Sequence, residues 1–154
     1  MIDLFKQAFT ASEGVEEGRL IATLVQDLLA DTAQEDIYIF TAVDKEVLVG
    51  AAVFTRLRYS NDNRRAFILG PMAVTTARQG QGVGQALIRA SLQALIAAGV
   101  DIVMTYGDPA FYSKTGFSPV SEKDAPAPYA LQYPHGWLVN NLTLAQFSPL
   151  AGPV

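Results

Sequence analysis

Cysteine is absent from this 154-residue chain. Disulfides, thiolate metal centres and a cysteine nucleophile are thereby excluded. Histidine is almost as scarce. His135 stands alone, so no metal site can be assembled from several imidazoles of one chain. Charged residues make up only 17% of the sequence, and basic ones are the rarer sign, leaving a net charge of −4. An acidic surface repels phosphate backbones, so nucleic acid is not an expected partner. No apolar run approaches the roughly 20 residues that span a bilayer. Met1–Thr10 has no basic leader followed by an apolar stretch, so no signal peptide is expected. The expectation is a soluble cytoplasmic protein without a membrane partner and without a metal.

Half of the residues are hydrophobic, which is globular composition. The length suits one domain over residues 1–154, enough to bury roughly 68–70% of the unfolded chain's surface. Leu4, Phe5, Ala8 and Phe9 recur on one side of a short helix over 3–11. Leu20, Ile21, Leu24, Val25, Leu28 and Leu29 repeat at helical spacing over 15–30, with Ser12 and Glu13 as the expected start. Three strands then follow, over 37–43, 47–59 and 64–74. They are separated by Asp44-Lys45-Glu46 and Ser60-Asn61-Asp62-Asn63, which predicts an antiparallel meander. Gly50 is a candidate bulge. Pro71 cannot donate to a ladder, so the third strand should be distorted there. A helix is expected from Gly84 to Ala98, ended by Gly99, then a buried strand over 100–106 and one helical turn over 110–114. Beyond Phe117, prolines break the pattern, and Trp137–Leu144 is the remaining candidate strand.

The feature that carries chemistry is a strand, a glycine-rich turn and a helix in succession. It comprises Met72-Ala73-Val74, then Gln79-Gly80-Gln81-Gly82-Val83-Gly84, then Gln85-Ala86-Leu87-Ile88. Glycines at every second position leave a ligand unobstructed and allow backbone angles that other residues resist. Backbone N–H groups can then converge at the positive end of a helix and bind an anion without a cationic side chain. A connecting turn is the plain alternative. A P-loop would need Lys and then Ser or Thr after the last glycine, where this chain has Gln85-Ala86. A dinucleotide fold would need the turn after the first strand of a parallel unit, whereas here a meander precedes it.

Val74–Gly84 resembles the acetyl-CoA signature of the GNAT N-acetyltransferase superfamily, a Gln/Arg-x-x-Gly-x-Gly/Ala turn after an apolar strand. The block Gly107-Asp108-Pro109-Ala110-Phe111-Tyr112-Ser113-Lys114-Thr115-Gly116-Phe117 is similar to that superfamily's later motif, with a Tyr before a Gly-Phe pair. Similarity covers about residues 1 to 118, and the N-terminal helices resemble a branch of small bacterial members. The resemblance implies an α/β fold of the α+β type. Its mixed central sheet would carry an antiparallel meander and a splayed strand pair, flanked by helices. The fold usually opens with a strand before the first helix. Here that strand is either missing or reduced to a remnant at Met1–Leu4.

The resemblance also implies a reaction. Acetyl-CoA would be the cosubstrate and an amine of a small molecule, peptide or protein the acceptor. The pantetheine arm would pair with Met72, Ala73 and Val74. The pyrophosphate would accept N–H bonds from Gln79, Gly80, Gln81, Gly82, Val83 and Gly84. A backbone N–H of the Met72–Val74 strand would steady the carbonyl oxygen. Transfer would be direct, in keeping with a chain that lacks cysteine. Tyr112 occupies the position of the family's proton donor to the leaving sulfur, with packing against Phe111 and Phe117 as its plain alternative.

No general base can be named from the sequence. Glu13, Glu16, Glu17, Glu35 and Asp36 read as solvated surface charges, His135 as a loop residue and Tyr106 as packing. Asp108 reads as a cap. Arg64 and Arg65 read as a solvated face, with the 3′-phosphate of coenzyme A as the alternative partner. Asn141-Leu142-Thr143 matches a glycosylation sequon by chance. Homodimers are common in the family the chain resembles. The competing functions are a non-catalytic acyl-CoA sensor and an enzyme acting on aminoacyl-tRNA, which the acidic charge disfavours.

Overall fold

The computed structural model describes residues 1–154. Two helices, α1 (Ile2–Glu13) and α2 (Val15–Asp31), precede strands β1 (Ile37–Asp44), β2 (Val47–Leu57) and β3 (Ala66–Val74). Helix α3 (Val83–Ala97), strand β4 (Ile102–Tyr106), the single turn α4 (Pro109–Tyr112), and strands β5 (Ser118–Pro119) and β6 (Trp137–Asn141) follow. The strands form one six-stranded sheet in the order β1-β2-β3-β4-β6-β5. It is mostly antiparallel, with β3 and β4 the parallel pair. The α/β reading with a meander and a mixed sheet therefore holds.

Two compact units divide the chain. One takes Met1–Phe54 and Gly70–Ser91, the other Thr55–Leu69 and Leu92–Val154. In the first unit the core gathers Leu4, Phe5 and Ala8 of α1, Val25 of α2, Ala51 and Val53 of β2 and Ala73 of β3. Ile37 and Ile39 pack against it, while the rings of Tyr38 and Phe40 stack on each other at 6.3 Å, as the period of a strand requires. Gly18 sets the crossing of the two helices. A methyl group there would collide with the Thr10 hydroxyl and lie 2.8 Å from the Lys6 carbonyl.

One expectation fails in this unit, and one open alternative, the strand remnant, is decided against. Ser12 and Glu13 do not start α2. Gly14, at φ 101°, separates the helices and caps α2 without a side-chain bond, so Glu13 ends α1 instead. Met1–Leu4 is not a strand remnant: helix α1 begins at Ile2, and Leu4 is buried. Gly50 lies within β2, where a methyl group would sit at ordinary contact distance, 3.4 Å from both Ala42 and Leu87.

The second unit is built around Trp137, which is fully buried and donates its indole N–H to the Ala125 carbonyl at 2.8 Å. Leu57, Tyr59, Ala66, Ile102, Met104, Val139 and Leu150 share that core. β3 and β4 run in parallel register from Ala66↔Ile102 to Leu69↔Thr105, and the ladder ends there, one residue before Gly70-Pro71. This is where a proline without an N–H interrupts pairing. β4 starts at Ile102 rather than Val100 because the Asp101 carboxylate turns to accept the Arg65 amide at 2.8 Å.

Arg64 is not a solvated residue. Its guanidinium bonds both carboxylate oxygens of Asp62, at 3.0 and 2.7 Å, and the carbonyls of Ser148 and Pro149, each at 2.9 Å. Asp62 also accepts the Ala151 amide at 3.0 Å. Arg65 donates to the Ala98 carbonyl and lies 5.8 Å from the Phe67 ring centroid. Both arginines are thus committed to structure. The final strand stops at Asn141 rather than Leu144, because Asn141 folds into a local turn, accepting the amide and hydroxyl of Thr143.

Candidate active site

The turn between β3 and α3 opens with a single 3-10 turn over Thr76–Arg78. Gly80 and Gly82 then adopt φ of 77° and 80°, the left-handed region that side chains resist. A Cβ on either would meet nothing within 4 Å. Crowding inside the chain therefore does not demand glycine here, and the space over the turn is open to a ligand. Gly84 differs, being buried in the first turn of α3. The first intrahelical bond runs from the Ala86 amide to the Gly82 carbonyl at 3.0 Å. The amides of Val83, Gly84 and Gln85 consequently have no acceptor within the helix, and they stand at its positive end. That is the geometry for binding an anion through main-chain donors.

Side chains brace this turn. Arg78 donates to the Asp44 carboxylate at 2.6 Å and to the Gln81 side-chain carbonyl at 2.9 Å. Asp44 closes β1, so the hairpin before β2 holds the turn through Arg78. The sequence offers no sign of this pair, because 34 positions separate the partners. The Gln79 side-chain amide folds back and donates to the Val74 carbonyl at 3.1 Å. In the strand itself Ala73 is buried, while Met72 and Val74 are half-buried on the alternate positions.

In the second unit Tyr112 ends α4. The Asp108 carboxylate caps that turn by accepting the Ala110 amide at 2.9 Å, the cap role expected of it. Gly116, at φ 97°, closes the segment. The Tyr112 ring is held edge-on between Phe111 and Phe117, with centroids 5.0 and 5.6 Å away. It also covers Gly107, where a Cβ would come within 2.6 Å of the ring. Burial pushes the Tyr112 hydroxyl above its ordinary pKa, and a hydrogen bond with Thr105 partly offsets this. Thr105 is buried and donates its own hydroxyl to the Leu69 carbonyl at 3.0 Å. Sequence reasoning missed Thr105. Its one signal is a hydroxyl inside the apolar run Ile102-Val103-Met104-Thr105-Tyr106.

Glu16, His135 and Tyr106 make contacts of their own. Glu16 forms an exposed pair with Arg19 at 3.7 Å. His135 lies exposed in a 3-10 turn, its ring edge-on to Tyr133. The Tyr106 hydroxyl accepts the Tyr133 amide. No group of three or more His, Cys, Asp or Glu residues could hold a metal ion.

Residues 35–119 match the model of the acetyltransferase (GNAT) domain. An uncharacterized N-acetyltransferase of Escherichia coli, YjhQ, is 34% identical over 138 residues, covering 86% of this chain and 76% of that protein. Among solved structures, the GNAT family N-acetyltransferase YhbS of Escherichia coli in complex with CoA superposes with a TM-score of 0.81. It has 24% identity and covers 99% of this chain and 82% of its own. A GNAT family acetyltransferase of Brucella melitensis in complex with acetyl-CoA gives a TM-score of 0.69 at 20% identity, with coverages of 96% and 86%.

Proposed function

We propose a reaction from one premise: the chain belongs to the GNAT acetyltransferase family. It is an acyltransferase that moves an acetyl group from acetyl-CoA to an amine. The observation that carries the reading is the open cradle over Gly80 and Gly82, faced by uncommitted amides at the mouth of α3. On this reading, the N–H groups of Gly80–Gly84 bind the diphosphate of the cosubstrate, while that of Gln79 donates to the Thr76 carbonyl at 3.3 Å and closes the preceding turn. The main chain of Met72, Ala73 and Val74 pairs with the pantetheine arm, and one of its amides steadies the carbonyl oxygen. Structural neighbours that carry CoA or acetyl-CoA support this placement.

Tyr112 is the proposed proton donor to the departing sulfur. Three features favour that role: a ring fixed by aromatic neighbours, a raised pKa that keeps the hydroxyl protonated at neutral pH, and a hydroxyl partner in Thr105. The acceptor amine must arrive or become neutral before attack, and a chain of water molecules can take its proton. The cytoplasm is the proposed site of action. No helix of the chain is long and apolar enough to cross a membrane. The net charge of −4 favours an acceptor that is not a nucleic acid.

The decisive comparison is Gly82→Asn against Gly82→Asp. Asparagine tolerates positive φ better than most residues, and the two side chains match in size. Calorimetric titration with acetyl-CoA should show a weakened Asn variant and no detectable binding to Asp. The charge penalty beside a phosphate is on the order of 1 kcal/mol or more. Equal affinities for the two variants would place the diphosphate elsewhere.

A further inference from the structure

Beside Tyr112, four aromatic rings gather with no cation among them. Tyr106 ends β4, and Tyr129 meets it edge-on at a centroid distance of 6.5 Å. Tyr133 meets His135 at 5.9 Å. The two pairs are joined because the Tyr133 amide donates to the Tyr106 hydroxyl. A Cβ on Gly136 would come within 2.9 Å of the Gly107 carbonyl and 3.2 Å of the Tyr106 ring. Gly107 in turn lies under the Tyr112 ring. The cluster and the proposed proton donor therefore share one small neighbourhood.

Tyr106 packs against the core around Trp137, whereas Tyr129, Tyr133 and His135 are exposed. Tyr129 and Tyr133 are 51% and 57% exposed, and the segment that holds them is stiffened by Pro126, Pro128 and Pro134. Neither lysine nor arginine occurs anywhere after Lys123. Apart from the His135 imidazole, no side chain after Lys123 can supply the cation that such ring faces attract. The net charge of −4 adds a field that draws positive ligands.

We propose that Tyr106, Tyr129, Tyr133 and His135 form the acceptor subsite, and that the acceptor carries a second, cationic nitrogen besides the amine that is acetylated. The reacting amine has to be neutral to attack, so it gains nothing from a cation site. A separate ammonium or guanidinium group gains from the negative ring faces and fixes the orientation of the molecule. The acceptor class is thus a diamine or a similar doubly basic amine. This rests on the acetyl-transfer reading and specifies its second substrate.

The test uses choline, a cation that offers no amine, against dimethylbutanol, its uncharged isostere. In the full-length protein, choline should shift the proton resonances of the Tyr129 and Tyr133 rings and bind at least about fivefold more tightly than the isostere. Tyr129→Leu and Tyr133→Leu should each abolish that preference while keeping the parent thermal midpoint and affinity for acetyl-CoA. Turnover of diaminobutane should exceed that of pentylamine by a similar factor. Equal binding of choline and its isostere overturns the proposal, as does absence of ring shifts. Preference for phenylethylamine over diaminobutane would mean stacking in place of cation recognition, and also overturns it. Acetyl-CoA titration of the same samples separates the two readings. Loss of cofactor binding in the parent protein sinks the acetyl-transfer reading, whereas intact cofactor binding without charge preference sinks only this one.

Discussion

Tyr112 owes its proposed chemistry to neighbours that no local pattern announces. Burial raises its pKa, and the neighbouring Thr105 hydroxyl partly offsets this. A phenol with a raised pKa stays protonated up to and beyond the ordinary value of about 10, so its donor role persists past that pH and is lost only as pH rises through the raised pKa. Tyr112→Phe should lower kcat by about 10²-fold with little change in acetyl-CoA affinity, and should remove any alkaline fall in kcat that belongs to this donor. An unchanged kcat in steady-state assays would return Tyr112 to a packing role. Thr105→Val keeps the shape and deletes the hydroxyl, leaving the Leu69 carbonyl without its partner. A kcat loss smaller than that of Tyr112→Phe is expected, and it should vanish in the double variant because both changes act through one group. The position of Tyr112 before Gly116-Phe117 was legible in the sequence. The contribution of Thr105 was not, since strand pairing decides which hydroxyl lies beneath the ring.

Among the elements, the turn between β3 and α3 was the most legible, because its glycines answer to a local backbone demand at Gly80 and Gly82. Its brace was hidden. Asp44 looked like hairpin punctuation, yet it holds Arg78, and Arg78 holds Gln81. Such a partly exposed pair is worth about 0.2–1 kcal/mol. Asp44→Asn should therefore raise the dissociation constant for acetyl-CoA by a few-fold at low salt and by less at high salt, with kcat retained. The α1–α2 hairpin shows the same limit of local reading. Helical periodicity locates both helices, but only their crossing explains Gly18. Gly18→Ala would push against the main chain of Lys6 and should cost about 1–3 kcal/mol by chemical denaturation, even though alanine favours helices.

On the scale of the whole molecule, strand order and the parallel β3–β4 pair follow the expected family fold, while the C-terminal third was the least legible. Its prolines erase periodicity, and its order comes from distant partners. Tyr59 donates to the Pro126 carbonyl at 2.7 Å, and its pKa is pushed up to about 12 by burial and by the nearby Asp62 charge. The Arg64 guanidinium and two main-chain amides hold the Asp62 carboxyl well below the usual carboxylate range. A lowered folded-state pKa stabilises at every pH above the unfolded value of about 3.9, and that stabilisation disappears as acid titrates Asp62 in the folded state. Asp62→Asn should cost about 1–3 kcal/mol at pH 7, shift the thermal midpoint by about 2–4 °C per kcal/mol, and flatten the loss of stability below pH 4. Arg64 fastens Ser148 and Pro149 to the turn before β3, and Leu150 is buried in the core that holds Trp137. Anyone trimming this protein should spare those last residues. Cutting at Phe147 removes Leu150 from the hydrophobic interior and leaves the Arg64–Asp62 pair without its Ser148, Pro149 and Ala151 partners.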